Sequence, residues 1–291
     1  MLRVLALLFF WTSSVACLGS NGRYTLVIEG YDWGPAVNKV ILSTDRQLTS
    51  TKGLQFQVLA SRTSECQELK PEDSRGERMV TRAYVSDSEG NPSSQGTYVT
   101  LELEVSPNLV LSNPFIYSNS NGCRGNSWVT YELDIIEKSL GQRWTEEKNR
   151  IIPLVDKFKW DQSYSFDENQ TLNYASYSPP KSQSKSPLII WLHGGGEGGR
   201  DPRVPLLANR AANYASEGIQ KFFSSAYVLV PQCPGAWMDN KNGQVTWGRE
   251  NDVYNRSLMA LIEQFVKDNP DIDSNRIYVG GCSNGGYMSL K

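Results

Sequence analysis

Histidine is almost missing from this sequence: of 291 residues, only His193 carries an imidazole. That excludes a site built from several histidines, and it leaves a single ready proton acceptor near neutral pH. Five cysteines are scattered along the chain. With one histidine they form no ligand cluster, so neither a metal nor an organic cofactor is expected. An excess of positive charge is also lacking, because 29 lysines and arginines meet 31 acidic residues for a formal charge of −2. No basic stripe is available to follow phosphates, and nucleic acid is not an expected partner. Long apolar runs are missing too. The one candidate, Val4 to Trp11, falls short of the ~20 residues of a spanning helix, so no transmembrane segment is expected.

That short run has another meaning. Arg3 precedes it, and the small residues Ser13, Ser14 and Ala16 follow, which is the layout of a secretory signal peptide over residues 1–16. The mature chain is expected to be secreted, extracellular or periplasmic. Lipid attachment at Cys17 is the less favoured alternative. Export permits disulfides, and Cys66 and Cys123 are a candidate pair; buried free thiols are an equal alternative, since connectivity does not follow from sequence. Asn169-Gln-Thr and Asn255-Arg-Ser match the glycosylation sequon.

The length suggests two domains, and the pattern changes near residue 145. Short runs rich in Val, Ile, Tyr and Thr recur before it: Tyr24–Glu29, Val37–Leu42, Leu54–Ala60, Met79–Ser86, Thr97–Val105, Pro114–Tyr117 and Trp128–Ile135. In the fifth, Val99, Leu101, Leu103 and Val105 alternate with Thr100, Glu102 and Glu104, as in a half-buried antiparallel strand. Seven such runs predict an all-β immunoglobulin-like sandwich over residues 20–140. Leu140 to Arg150 is polar and reads as a linker or short helix.

From 145 to 291 strands alternate with helices. Pro187–Leu192, Ala226–Val230 and Arg276–Gly280 are apolar runs of the kind buried on both faces of a parallel sheet. A helix is expected over about Val204 to Phe223. Tyr254, Leu258, Leu261, Ile262 and Phe265 mark one face of another, ending at Asn269-Pro270. The prediction is an α/β layer structure.

Two segments carry chemistry. Gly281-Cys282-Ser283-Asn284-Gly285 lies between a predicted strand and a helix start, the setting of a nucleophile elbow with Ser283 as nucleophile. His193-Gly194-Gly195-Gly196-Glu197-Gly198-Gly199 follows the strand Pro187–Leu192, where a glycine-rich loop offers backbone amides to an oxyanion. The expected donors are the amides of Asn284 and of Gly195 or Gly196. His193 and Glu197 are expected to support the loop. No Gly-Lys-Ser/Thr ends it, so it is not a phosphate loop. Trp237 and Trp247 are candidate pocket residues, with plain packing the favoured alternative.

WLHGGGEGG, VLVPQCP and GGCSNGGY, in that order, resemble secreted α/β-hydrolase esterases related to the polyhydroxybutyrate-depolymerase and feruloyl-esterase group, with prolyl-oligopeptidase-like peptidases as cousins. EGYDWGPAV, at Glu29–Val37, resembles the immunoglobulin-like N-terminal domain that some of these esterases carry. The resemblance implies hydrolysis of a small or polymer-linked ester, with polysaccharide a candidate associate, through an acyl-enzyme on Ser283. It also implies an Asp or Glu and then a His after the serine. Only eight residues follow Ser283, and none is of these types. The expectation is therefore a chain truncated after the elbow and deficient in catalysis as it stands. The alternatives are a serine peptidase and a non-catalytic polysaccharide- or surface-binding protein.

Overall fold

The computed structural model describes residues 21–120, 122–240, 244, 246 and 252–291. The signal-peptide reading of residues 1–16, Cys17 and Trp247 lie outside the described residues. Among these, no helix is long and apolar enough to cross a membrane.

Ten strands build the first domain: β1 (Asn21–Tyr31), β2 (Gly34–Leu48), β3 (Phe56–Thr63), β4 (Arg75–Glu77), β5 (Val80–Ser86), β6 (Gly96–Leu103), β7 (Phe115–Ser120), β8 (Cys123–Trp128), β9 (Thr130–Glu137) and β10 (Gln142–Ile151). A single turn of helix, α1 (Pro71–Ser74), precedes β4. Eight of the strands form one sheet in the order β4-β3-β9-β10-β1-β2-β6-β5, and β7 and β8 form a separate hairpin. The sheet folds back on itself, because Ile28, Val40 and Leu101 share one core with Val58, Leu133 and Ile135 from its other half. The Tyr24 hydroxyl of β1 accepts the Leu133 amide of β9 at 3.0 Å across that fold.

Each expected run lies in or overlaps a strand, whereas Leu140 to Arg150 is corrected. It is neither linker nor helix over most of its length but β10, parallel to β1 and antiparallel to β9. Trp144 holds it, fully buried with its indole N–H donating to the Ser43 carbonyl at 2.6 Å. The first domain thus extends to Ile151, past the expected boundary at 140.

Among the described residues the second domain has five strands: β11 (Lys159–Asp167), β12 (Gln170–Tyr177), β13 (Ser186–Leu192), β14 (Tyr227–Gln232) and β15 (Ile272–Gly281). Their order is β11-β12-β14-β13-β15. β13 runs parallel to both β14 and β15, and the β11–β12 hairpin joins antiparallel. The domain's helices among the described residues are α2 (Arg203–Ala208), α3 (Glu217–Phe222), α4 (Asn255–Asp268) and α5 (Asn284–Met288). The single helix expected over 204–223 is corrected to α2, a 3-10 turn and α3. The break falls at Asn209 and Arg210, whose φ of 54° is left-handed.

Side chains of β14 point alternately to two cores. Val228 and Val230 join Leu206 and Leu207 of α2 and the core of the first domain, while Leu229 joins Leu258, Leu261 and Phe265 of α4. The apolar core therefore runs without interruption from one domain into the other. This seats the β7–β8 hairpin over the carboxyl ends of β13, β14 and β15, the edge at which open parallel sheets bind ligands.

Candidate active site

Ser283 ends the turn between β15 and α5 with φ 49° and ψ −113°, a strained conformation for a residue with a side chain. Close packing imposes it. The Cys282 amide donates to the Leu192 carbonyl at 3.0 Å, and the Gly285 amide to the Cys282 carbonyl at 2.8 Å. A Cβ on Gly285 would stand 2.2 Å from the Leu192 carbonyl oxygen, so the turn seats against the end of β13 only with glycine there. The serine side of the turn is left exposed.

The glycine loop leaves β13 beside it. His193 is fully buried under the loop, where Nδ1 bonds the Gly194 carbonyl at 2.6 Å and Nε2 accepts the Cys233 amide at 3.2 Å. That pattern places the ring proton on Nδ1. Burial pushes the imidazole down to about 4, so the ring is neutral. With both nitrogens committed to backbone, it braces the loop and is not free to take a proton from Ser283.

Gly195 is exposed at the tip of the loop. The amides of Gly195, Gly196 and Asn284 donate to no group among the described residues. The Glu197 amide instead closes a turn on the Gly194 carbonyl at 3.2 Å. The Glu197 carboxylate is buried and raised by that burial, an effect opposed by hydrogen bonds from Asn126 and the Gly194 amide. The Cys282 thiol next to Ser283 is also raised, first by burial and then by Glu197. It is a poor thiolate at neutral pH.

Ser283, Asn284 and Gly195 open onto a cleft of 980 Å³ whose opposite wall, Gly122 to Trp128, belongs to the first domain. Cys66 and Cys123 form a disulfide at its rim, tying β8 to the loop after β3. Trp128 donates its indole N–H to Asp201 at 2.8 Å, and the Arg203 guanidinium lies over the Trp128 ring. Gly196, in contrast, is covered: a Cβ there would lie 2.8 Å from the Tyr117 ring of β7.

Of the two readings of Trp237, the favoured one, packing, holds, and the pocket role does not. The side chain is fully buried, packed against His193 and Tyr254, and does not line the cleft. Packing, not substrate contact, is its role. Asn126 and Gln232 were not picked out from the sequence. Gln232 is buried at the end of β14 and donates Nε2 to the Glu197 carbonyl at 2.9 Å, while Asn126 reaches the loop from the hairpin. Both act across domains or strands distant in sequence, where no local spacing marks them.

The family described as the esterase Ig-like N-terminal domain matches residues 23–148. Residues 23–148 are an esterase Ig-like domain. A thermostable esterase of known structure is similar across both halves, covering 91% of this chain and 72% of its own at 25% identity and a TM-score of 0.69. Over 91% of its length the chain thus has the architecture of an esterase that carries an Ig-like domain, and the cleft lies where that domain meets the second sheet. More distant are Pyrococcus horikoshii acylaminoacyl peptidase (19% identity, 44% of this chain and 20% of that one, TM-score 0.29) and Thermogutta terrifontis Est2 (14% identity, 45% and 43%, TM-score 0.29). No curated protein matches the sequence.

Proposed function

We propose that these residues form the nucleophile half of a secreted α/β-hydrolase, a serine carboxylesterase that works through an acyl-enzyme. The carrying observation is Ser283, exposed in a strained strand-to-helix turn at a cleft onto which unpaired backbone amides open. Ser283 Oγ attacks the ester carbonyl and the alcohol departs. Water then releases the acid. The oxyanion formed in each step is held by the Asn284 amide and by that of Gly195, which faces the cleft; the covered Gly196 is the second choice. The substrate is a small or polymer-linked ester, and polysaccharide is a candidate associate of the Ig-like domain.

A serine hydroxyl needs a base to take its proton. The one imidazole is bound to backbone on both nitrogens, so the base of this mechanism is a group other than His193. The complete esterase is this chain together with that base. The 291 residues alone are expected to turn over aryl esters about 10⁶-fold more slowly than the complete esterase, the scale of losing a triad base.

The test compares p-nitrophenyl butyrate with a peptide p-nitroanilide on the complete esterase, with mass spectrometry after a phosphonate inhibitor. Ester turnover, one adduct on Ser283 and loss of both in Ser283→Ala are expected. Preference for the amide would make the protein a peptidase. Full ester turnover by Ser283→Ala would remove the serine mechanism.

A further inference from the structure

A run of glycines has little conformational preference of its own, so the shape of the loop must come from what touches it. From β14, Gln232 holds the Glu197 carbonyl, and the Gly199 amide donates to the Cys233 carbonyl at 2.9 Å. From the Ig-like domain, Asn126 makes two bonds. Its amide donates to the Gly196 carbonyl at 2.6 Å, and its Nδ2 donates to Glu197 Oε1 at 3.0 Å. The pair straddles the peptide between Gly196 and Glu197, and the Gly195 and Gly196 amides before it donate to no group among the described residues.

Asn126 is itself held in place. Gly125 before it has φ 102°, and a Cβ there would fall 2.3 Å from the Gly196 carbonyl oxygen, so only glycine lets β8 come this near. Cys123, three residues away, is tied to Cys66.

From this geometry we infer that Asn126, in the Ig-like domain, is a positioning residue for the second domain's half of the site, fixing the loop whose amides receive the oxyanion. The inference rests on the esterase reading above. An oxyanion hole stabilises charge only if its donors are already aimed, and here the aim is set from the neighbouring domain. The side-chain bond adds to the backbone one, because with the Gly194 amide and Asn209 it is one of three hydrogen bonds to a buried carboxylate that no cation pairs with among the described residues. Without it, Glu197 would be drawn toward water or a proton, and the turn would open with it.

The test has two readouts. The first is hydrogen exchange at the Glu197 and Gly199 amides in the 291-residue chain, which needs no turnover. Asn126→Ala is expected to speed it about tenfold or more, because the local opening free energy falls with the lost bond. Asn126→Asp, which sets a second carboxylate beside Glu197, is expected to speed it further. Reversing donor and acceptor in Asn126→Asp with Glu197→Gln should bring exchange back to within about threefold of the wild type. Asn119→Ala, an exposed change in the same hairpin, serves as control. The second readout is kinetics of the complete esterase, where Asn126→Ala should lower kcat about 10- to 100-fold with KM within about twofold.

Unchanged exchange in both single variants overturns the inference whatever the turnover. Faster exchange with unchanged kcat overturns the catalytic part of it. If the wild-type complete esterase hydrolyses no ester, it is the proposed function that fails, and exchange still decides whether Asn126 shapes the loop.

Discussion

The Ser283 turn and the glycine loop stand side by side, at the ends of the adjacent strands β15 and β13, and they are held in opposite ways. The turn is held from within its own domain: Gly285 seats on the Leu192 carbonyl, and backbone bonds close the rest. The loop is held from outside, by Asn126 and Tyr117 of the Ig-like hairpin, and from below by Gln232 and His193. One half of the site is therefore a local object that any domain of this type can form. The other exists only where two domains meet, so the Ig-like domain touches and shapes the loop as well as preceding it in the chain.

Four measurements break or sharpen this contrast, and the largest effect lies on the outside support. The Cys66–Cys123 bond spans 57 residues, and a loop of that length implies about 4 kcal/mol lost from the Ig-like domain in Cys66→Ser with Cys123→Ser, by chain entropy. Denaturant unfolding should show that loss, with the nucleophile turn unaltered. On the other side, Gly285→Ala drives a Cβ into the Leu192 carbonyl and should cost about 3 kcal/mol, an overpacking penalty against rigid backbone. A melt that is unchanged would show that the turn has more room than its contacts imply.

The third measurement is on pH. His193 is lowered from 6.5 to about 4 by burial, so the unfolded chain binds a proton that the folded chain refuses. Its contribution to stability is complete above about pH 6.5 and is lost as pH falls toward 4, with about 2 kcal/mol gone by pH 5. Melts of wild type and His193→Gln should diverge over this window, the wild type showing the steeper acid dependence. The smallest effect belongs to Gly195→Ala. A Cβ there meets nothing within 4 Å, and stability should stay within about 0.5 kcal/mol. Two glycines of one site thus separate a packing requirement from open space.

What the sequence disclosed follows the same division. The turn was legible because everything that makes it, an apolar strand, two glycines around Cys-Ser-Asn and a helix start, lies within about fifteen residues. The strands with one buried face showed their alternation. β10 did not, because Thr145 to Arg150 is a run of polar and charged residues and its pairing with β1 spans more than a hundred positions. β11 hid in the same way, its sequence KWDQSYSFD alternating between exposed and half-buried residues with no fully buried position. Asn126 sits in a stretch, Gly122-Cys-Arg-Gly-Asn, that reads as any surface turn. Only the second sheet beneath it gives that stretch a role. Trp237 was open either way, since a tryptophan after a parallel strand suits a pocket wall or a core, and the favoured packing role is the one it has.

The isolation of His193 also makes this chain unusual to a spectroscopist. Its solitary imidazole will give one set of ring resonances, free of overlap and flat across the range where histidines normally move. Those lines report on the floor of the glycine loop alone, an isotope label placed there without any engineering.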